Sequence, residues 1–221
     1  MPTPKAGYHL ADGTRVPGTT TILNRYKDSG GLMHWAFNQG KLGKERLYEE
    51  AEKAADIGTI AHAMVEAHIK GDDPAGPLET LSDDPGMRDK AQSSFKAYMA
   101  WEGMTKLRVI EQEMQLVSEK YRYGGTPDAI GLINNELCLL DWKTSNSVYG
   151  DYLVQLAAYR NLWEEHNPDR PLTGGFHLLR FAKEYADFAH HYYPNLDNAW
   201  RAFTLMRELY DIDRELKART K

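Results

Sequence analysis

The segment GGTPDAIGLINNELCLLDWKTS, residues 124–145, decides how this chain folds. It contains two runs that suit β-strands, 126–133 and 137–143, separated by a pair of asparagines. Strand-like runs joined by a short turn of this kind are typical of a β-hairpin. The second run is apolar on both faces until Asp141, and it therefore predicts a strand buried in the middle of a sheet.

Two carboxylates and one ammonium group are expected at one end of this hairpin. Residues two apart on a strand point to the same side, so Asp141 and Lys143 should project together, and the neighbouring strand supplies Asp128. Burying such charges is costly unless they are paired or bind a metal. A divalent cation would relieve repulsion between the carboxylates, and Mg²⁺ favours such oxygen ligands. The alternative is a strand-end ion pair beside an Asp128 that caps a turn.

The rest of the chain predicts helices around a central group of strands. Residues 1–103 are predicted to be mainly helical, 104–193 to form the sheet core, and 194–221 to form a C-terminal helix. Further helices are predicted at residues 20–25, 33–38, 57–69, 87–101, 151–165 and 195–217, with another starting near residue 43. Further strands are predicted at 176–181 and 185–192, with a short hairpin over 8–16. This order predicts a single α/β domain with a central mixed sheet flanked by helices.

Two segments carry more specific expectations. Alternating residues over 107–117 predict one continuous strand, with Glu111 and Glu113 on the same face. Residues 71–85, rich in Gly, Pro and Asp, predict an exposed loop.

The composition excludes several classes of protein without naming a function. The single cysteine, Cys138, rules out a disulfide framework and an iron–sulfur cluster within this chain, and its apolar surroundings predict a buried inert thiol. No Gly-rich phosphate loop follows a strand. The net charge of −5 gives no electrostatic argument for nucleic acid, although a local basic groove and a bound cation can still bind DNA. No apolar run approaches the ~20 residues of a membrane span, and no signal sequence is visible, so we expect an intracellular protein.

Five short motifs in the same order make the chain resemble the PD-(D/E)XK nuclease superfamily. The closest resemblance is to its RecB-type and phage exonuclease branch, which includes the mitochondrial genome maintenance exonucleases. The motifs are Gly58-Thr59-x-x-His62, Glu113, Gly125-x-x-Asp128, Asp141-x-Lys143-Thr144-Ser145 and Gln155-x-x-x-Tyr159. The opening residues 16–23 and Trp35 also resemble phage members, so that the resemblance covers roughly residues 16–160.

The resemblance implies a restriction-endonuclease-like core and a metal-dependent nuclease. The implied metal ligands are His62, Asp128, Asp141 and the backbone carbonyl of Trp142. The metal would be Mg²⁺, and a histidine ligand would also make Mn²⁺ acceptable. The implied catalytic residues are Asp128, Asp141 and Lys143, supported by Glu113, Gln155 and Tyr159.

The substrate implied by the resemblance is DNA, single-stranded or at duplex ends. The enzyme would be an exonuclease of phage or bacterial recombination and DNA processing, acting in the cytoplasm of a bacterium or a phage-infected host. A homo-oligomer and a phage recombination partner stay open, and no membrane partner is expected. Candidate phosphate contacts are Arg15, Arg25, Lys27, Lys120, Arg122 and Arg160.

Several alternatives remain at this point. The chain could be a non-catalytic module that binds DNA ends, an endonuclease, or a phosphoesterase acting on RNA or nucleotides. His62 could be an ordinary helix histidine, and Gln155 with Tyr159 an ordinary surface pair one helical turn apart.

Overall fold

The computed structural model describes residues 6–27, 30–41, 47–145, 147–181 and 188–220, with the side chains of 31, 32, 35, 39, 47–56 and 188 outside the description. The helices are α1 (Thr19–Tyr26), α2 (Gly30–Lys41), α3 (Leu47–Lys70), α4 (Gly76–Leu81), α5 (Pro85–Thr105), α6 (Gly150–His166) and α7 (Asp197–Arg219). The strands are β1 (Tyr8–His9), β2 (Arg15–Val16), β3 (Arg108–Gln112), β4 (Leu116–Ser118), β5 (Tyr123–Gly125), β6 (Ala129–Ile133), β7 (Glu136–Thr144), β8 (Phe176–Phe181) and β9 (Phe188–Tyr193).

A five-stranded mixed sheet, in the order β3-β6-β7-β8-β9, forms the centre of the fold. β6 and β7 are the predicted antiparallel hairpin. Both asparagines of its turn have positive φ angles, 55° and 65°, as a tight two-residue hairpin turn requires. β7 pairs in parallel with β8, and α6 lies in the connection between them. Parallel strands need such a long crossover, so the predicted strand–helix–strand order fixes this topology.

Alternation along β7 separates two hydrophobic cores, one on each face of the sheet. Leu139 packs with Leu162 of α6 in the first core. Leu140 lies on the other face and packs with Tyr98 and Trp101 of α5. All five side chains are almost fully buried, and burial of each large apolar side chain stabilises the fold by about 1.5–3 kcal/mol. The predicted α/β architecture, a mixed sheet flanked by helices, is confirmed.

Two short antiparallel ribbons, β1-β2 and β4-β5, lie beside the main sheet. The hairpin over residues 8–16 was predicted, but β5 was not. Gly124 of β5 lies under the ring of Tyr8, and a Cβ atom on this glycine would be 2.2 Å from Tyr8 Cγ. The hydroxyl of Tyr8 shares a hydrogen bond of 2.9 Å with Thr126 Oγ1. The ribbons therefore position the segment that leads to Asp128.

The prediction of one continuous strand over residues 107–117 is wrong. β3 ends at Gln112, and Glu113 adopts a left-handed backbone conformation with φ of 52°. The chain then enters β4, which pairs with β5 in a different sheet. The backbone N–H of Glu113 donates a hydrogen bond of 3.1 Å to the carbonyl of Asp128, which fixes the break beside the hairpin. The expected common face of Glu111 and Glu113 is lost with the strand.

Three other predicted segments differ in extent from the elements that the structure describes. Residues 71–85 are not entirely a loop, because α4 occupies part of this segment. The predicted start of a helix near residue 43 lies outside the described residues, and α3 includes the predicted helix at 57–69. Residues 185–187 of the strand expected at 185–192 also lie outside the described residues, and β9 covers 188–192.

Cys138 lies in β7 with its side chain buried. Burial raises the pKa of the thiol to about 12, so the thiol stays protonated at neutral pH, as expected of an inert core cysteine. Among the helices that the structure describes, none combines the length and the apolar character needed to cross a bilayer.

Candidate active site

Asp128 and Asp141 lie side by side, where β6 begins and β7 approaches its end. The register pairs Ala129 with Leu140, and one further step along it brings the two aspartates opposite each other. Both are buried, with 3% and 1% of their surfaces exposed. Oδ2 of Asp128 accepts a hydrogen bond of 2.8 Å from the backbone N–H of Trp142, so the sheet itself holds this carboxylate in place. The two predicted carboxylates therefore converge.

Lys143 is the ion-pair partner of Asp141, with Nζ 2.6 Å from Oδ2. Its side chain is 18% exposed, compared with 1% for that of Asp141. The ammonium group also lies 5.3 Å from the ring centroid of Tyr152 in α6. This cation–π contact restrains the lysine, and Tyr152 was not singled out from the sequence.

Burial and mutual charge set the protonation of this pair. Burial raises the pKa of Asp141, while Lys143 counteracts the rise and Asp128 adds to it. Burial would lower the pKa of Lys143, but the two aspartates outweigh it and raise the pKa above its usual value. The lysine is therefore an ammonium ion at neutral pH. Two buried carboxylates share this one cation, and their mutual repulsion is only partly relieved.

The oxygens of Asp141 fit a bound cation. Both are buried; Oδ1 accepts no hydrogen bond from the described residues, and Oδ2 has the ammonium of Lys143 as its partner. Buried polar atoms are normally satisfied, and an ion would supply the missing partner. Asp128, Asp141 and the Trp142 carbonyl are hard oxygen donors, which suit Mg²⁺ because it keeps several waters and needs few protein ligands. No three His, Cys, Asp or Glu side chains in the described chain form a group that could hold an ion by themselves.

His62 reaches this site from α3. Its Nε2 lies 2.8 Å from the carbonyl oxygen of Trp142, so the tautomer protonated at Nε2 donates a hydrogen bond to it. Burial, reinforced by the charge of Lys143, lowers the pKa of His62 to about 4 and keeps the imidazole neutral at pH 7. Gly58, one helical turn earlier, allows close approach, because a Cβ atom there would be 2.5 Å from Thr144 Oγ1. His62 thus lies beside an implied ligand, and its own role as a ligand stays a prediction.

Glu113 lies at the break after β3, beside Asp128. Burial, together with the negative charges of Asp128 and Glu66, raises the pKa of this carboxyl group to about 8. A third acidic side chain therefore borders the pair of aspartates. The left-handed backbone of Glu113, not a strand face shared with Glu111, places it there.

Gln155 and Tyr159 form a hydrogen-bonded pair on α6. Gln155 Nε2 donates to the Tyr159 hydroxyl oxygen over 2.8 Å. Tyr159 is only 3% exposed, so the alternative of an ordinary surface pair is wrong. Burial, together with Asp141 and Asp128, raises the pKa of Tyr159 well above its usual value. A Cβ atom on Gly125 would be 2.7 Å from the Tyr159 ring, so this glycine lets α6 pack directly behind the aspartates.

Several basic residues considered for phosphate contact have acidic partners. The pairs are Arg25 with Asp213, Lys27 with Asp151 at 2.8 Å, and Arg160 with Glu164 at 3.0 Å. Lys120 lies 5.0 Å from the ring centroid of Tyr121, and Arg15 lines a cavity of about 350 Å³ beside Tyr8. Arg122 has a left-handed backbone conformation after β4. Their roles in DNA binding stay predictions.

The fold and the site together define a class of protein: a mixed-sheet α/β protein with two buried carboxylates and a lysine at the ends of adjacent strands. The sequence profile of the PD-(D/E)XK nuclease superfamily matches residues 8–215. The chain belongs to this superfamily, and nuclease activity is the general function of such proteins. The finer placement in the RecB-type and phage branch stays a prediction.

One solved structure to which the chain is similar agrees with the fold, and a second match is weaker. The protein named "Putative exonuclease" from Eubacterium rectale is similar, with a TM-score of 0.50 and 12% sequence identity over 73% of this chain and 66% of that chain. The structure of SSO0001 matches with a TM-score of 0.31 and 18% identity over 56% of this chain and 58% of that chain. The chain thus corresponds to less than two thirds of the length of either neighbour. Comparison with curated proteins gives no significant match.

Proposed function

We propose that this protein is a divalent-metal-dependent nuclease that hydrolyses DNA phosphodiester bonds at the site around Asp128, Asp141 and Lys143. The observation that carries the proposal is the buried carboxylate of Asp141, which lies beside a second carboxylate and whose Oδ1 accepts no hydrogen bond from the described residues, while Oδ2 pairs with Lys143. A hard divalent cation is the ligand that best compensates such a pair. Mg²⁺ is the proposed ion, with Mn²⁺ as an alternative.

The contacts of each residue suggest its proposed role in catalysis. Asp128, Asp141 and the Trp142 carbonyl would hold the ion. A bound divalent cation polarises the scissile phosphate and makes a water molecule easier to deprotonate. Lys143, a persistent ammonium at the more exposed side of the site, would orient the attacking water or stabilise charge that develops at phosphorus.

The surrounding residues would position this centre. His62 would fix the Trp142 carbonyl and, in the role implied by the resemblance, contribute a nitrogen ligand to the metal. Glu113, beside Asp128, would contact water bound to the ion. Tyr159, held by Gln155, packs against Gly125 and would set the position of the Asp128 segment and of the bound strand.

We further propose that the protein acts as an exonuclease in phage or bacterial DNA processing. This proposal rests on the resemblance of the sequence motifs. We also propose that residues 1–221 act as one nuclease domain, because α3 and α5 share a hydrophobic core with the central sheet.

A DNA degradation assay tests the proposed function. Linear DNA labelled at one end, and the same DNA as a closed circle, are incubated with Mg²⁺, with Mn²⁺ and with EDTA. We expect loss of the linear DNA with either metal, none with EDTA, and survival of the circle. Cutting of the circle would make the protein an endonuclease, and competition with RNA reports on substrate type. Absence of any metal-dependent cutting would contradict the proposal and favour a DNA-binding module.

A matched variant ties the activity to the site. Asp141→Asn keeps the size of the side chain and removes its charge, so we expect activity to fall with all metals. The control is Asp213→Asn, which removes a surface carboxylate on α7 that pairs with Arg25 and Lys217. Wild-type cutting by Asp141→Asn would show that the activity arises elsewhere.

A further inference from the structure

An exposed aromatic residue lies one ring away from the proposed catalytic lysine. Tyr149 precedes α6 and is 49% exposed. Its ring packs edge-to-face with that of Tyr152, with centroids 5.5 Å apart and an interplanar angle of 86°. Tyr152 in turn contacts the ammonium of Lys143, which lies 5.3 Å from its ring centroid. The three side chains thus form a continuous row from the buried carboxylates to solvent.

The N-cap position that Tyr149 occupies does not itself favour a tyrosine. It is the N-cap residue of α6, and its side chain makes no capping hydrogen bond. Ser, Thr, Asp and Asn are preferred at this position because they satisfy the free N–H groups of the first turn. A half-exposed ring at this position contributes little to the core, so its exposed surface is open to a ligand.

A cation lies beside the same ring. Nζ of Lys27 lies over this ring, 5.8 Å from its centroid, and forms an ion pair of 2.8 Å with Oδ2 of Asp151. The ion pair positions the lysine and partly neutralises it, but its side chain remains 49% exposed and accessible to a phosphate. An aromatic ring with a neighbouring ammonium group matches one nucleotide unit, since the ring can stack on the base while the cation attracts the phosphate.

We propose that Tyr149 forms a stacking subsite for an unpaired nucleobase of the strand whose phosphate is cleaved beside Lys143. The proposal rests on the nuclease function proposed above and names its preferred substrate as single-stranded DNA or a frayed end. A base inside a duplex has both faces covered by its neighbours, so it cannot stack on an additional ring. Stacking on a tyrosine accepts any base and therefore implies little sequence preference.

The matched variants are Tyr149→Ala, Tyr149→Phe and Tyr192→Ala. Phenylalanine keeps the stacking surface and removes only the hydroxyl. Tyr192 is a suitable control because it is 52% exposed, close to the value for Tyr149. It pairs with His177, which pairs with Leu140, so it faces the side of the sheet opposite Asp141.

The first measurement is binding of a short single-stranded oligonucleotide that contains 2-aminopurine, with EDTA present to prevent cleavage. We expect Tyr149→Ala to raise Kd by between about fivefold and a hundredfold, the range seen when a stacking ring is removed. It should also abolish the fluorescence quenching that stacking causes. Tyr149→Phe and Tyr192→Ala should keep both the Kd and the quenching of the wild type. A blunt duplex should bind all four proteins alike.

Three results would overturn the subsite: no binding of the single strand by the wild type, unchanged binding by Tyr149→Ala, or an equal loss for the blunt duplex. Cleavage kinetics with Mg²⁺ separate this failure from that of the proposed function. If the wild type cuts DNA and Tyr149→Ala shows unchanged KM for single strands, the subsite is wrong while the nuclease stands. If binding depends on Tyr149 but no cutting occurs, the nuclease is wrong while the subsite stands.

Discussion

The side chains of Asp128, Asp141 and Lys143 could be placed together from the sequence because their arrangement depends on local rules. The period of two along a strand sets Asp141 and Lys143 on one side, and the hairpin register brings Asp128 opposite. Tyr149 and Tyr152 were missed for the opposite reason. Their contacts with each other and with Lys143 depend on how α6 approaches the end of β7, which no spacing in the sequence records.

Lys143→Ala tests the role assigned to the ammonium. Because this group lies 2.6 Å from Asp141 and stabilises negative charge in the site, we expect the rate of DNA cleavage to fall at least about a hundredfold. Binding of Mn²⁺ should be retained, since the oxygen ligands remain. The measurement is single-turnover cleavage of a labelled oligonucleotide, with metal binding followed by titration.

The control for this substitution is Lys217→Ala, which removes a lysine paired with Asp213 on the surface of α7. It should cut at the wild-type rate. Lys143→Met keeps the aliphatic chain against Tyr152. It replaces the alanine variant in the cleavage assay if that variant unfolds below the assay temperature. Cleavage by both Lys143 variants at the wild-type rate would remove the lysine from the mechanism.

At the scale of elements, the β6–β7 hairpin and the helix α6 were predictable, whereas the end of β3 was not. The hairpin is encoded locally by its asparagine turn and its apolar strands. The break at Glu113 depends on a left-handed residue whose N–H bonds to Asp128, a contact between segments that are apart in the sequence. β5 was missed because two of its three residues are glycines, which carry no strand signal.

Gly124→Ala tests whether the close approach of the two ribbons matters. A Cβ atom there would overlap the buried Tyr8 ring, so we expect the free energy of unfolding to fall by about 1–3 kcal/mol. Gly103→Ala in α5 is the matched control, because nothing lies within 4 Å of its added Cβ atom. Alanine forms helices better than glycine does, so the free energy of unfolding of the Gly103→Ala variant should rise by up to about 1 kcal/mol. Urea denaturation of the two variants measures both effects, and equal stabilities would contradict the packing described.

At the scale of the whole molecule, two sets of buried groups give stability opposite dependences on pH. Burial lowers the pKa of His177 to about 4, and that of His190 is also lowered. Between pH 6.5 and 4 these histidines are protonated in the unfolded chain but remain neutral in the folded chain. They therefore reduce stability as pH falls. Glu113, with a pKa of about 8, acts in reverse, because its proton stabilises the fold at low pH and is lost as pH rises.

Replacement of both histidines by leucine isolates their contribution to the pH dependence of stability. His177 and His190 stack with centroids 5.0 Å apart, and their hydrogen bond of 2.8 Å is lost in the variant. We expect the stability of the variant relative to the wild type to increase as pH falls from 7 to 5, because the unfolded variant no longer takes up the two protons. Urea denaturation at several pH values gives this difference. A difference independent of pH would contradict the lowered pKa values.

We propose that the carboxylates of Asp128 and Asp141, on adjacent strands, share one divalent cation. Anomalous scattering from crystals soaked in Mn²⁺ would locate this ion. We expect one strong peak in contact with Asp128, Asp141 and the Trp142 carbonyl, at ligand distances of roughly 2.0–2.2 Å as for other small octahedral cations. The absence of a peak between these carboxylates at saturating Mn²⁺, with ions bound elsewhere, would contradict it.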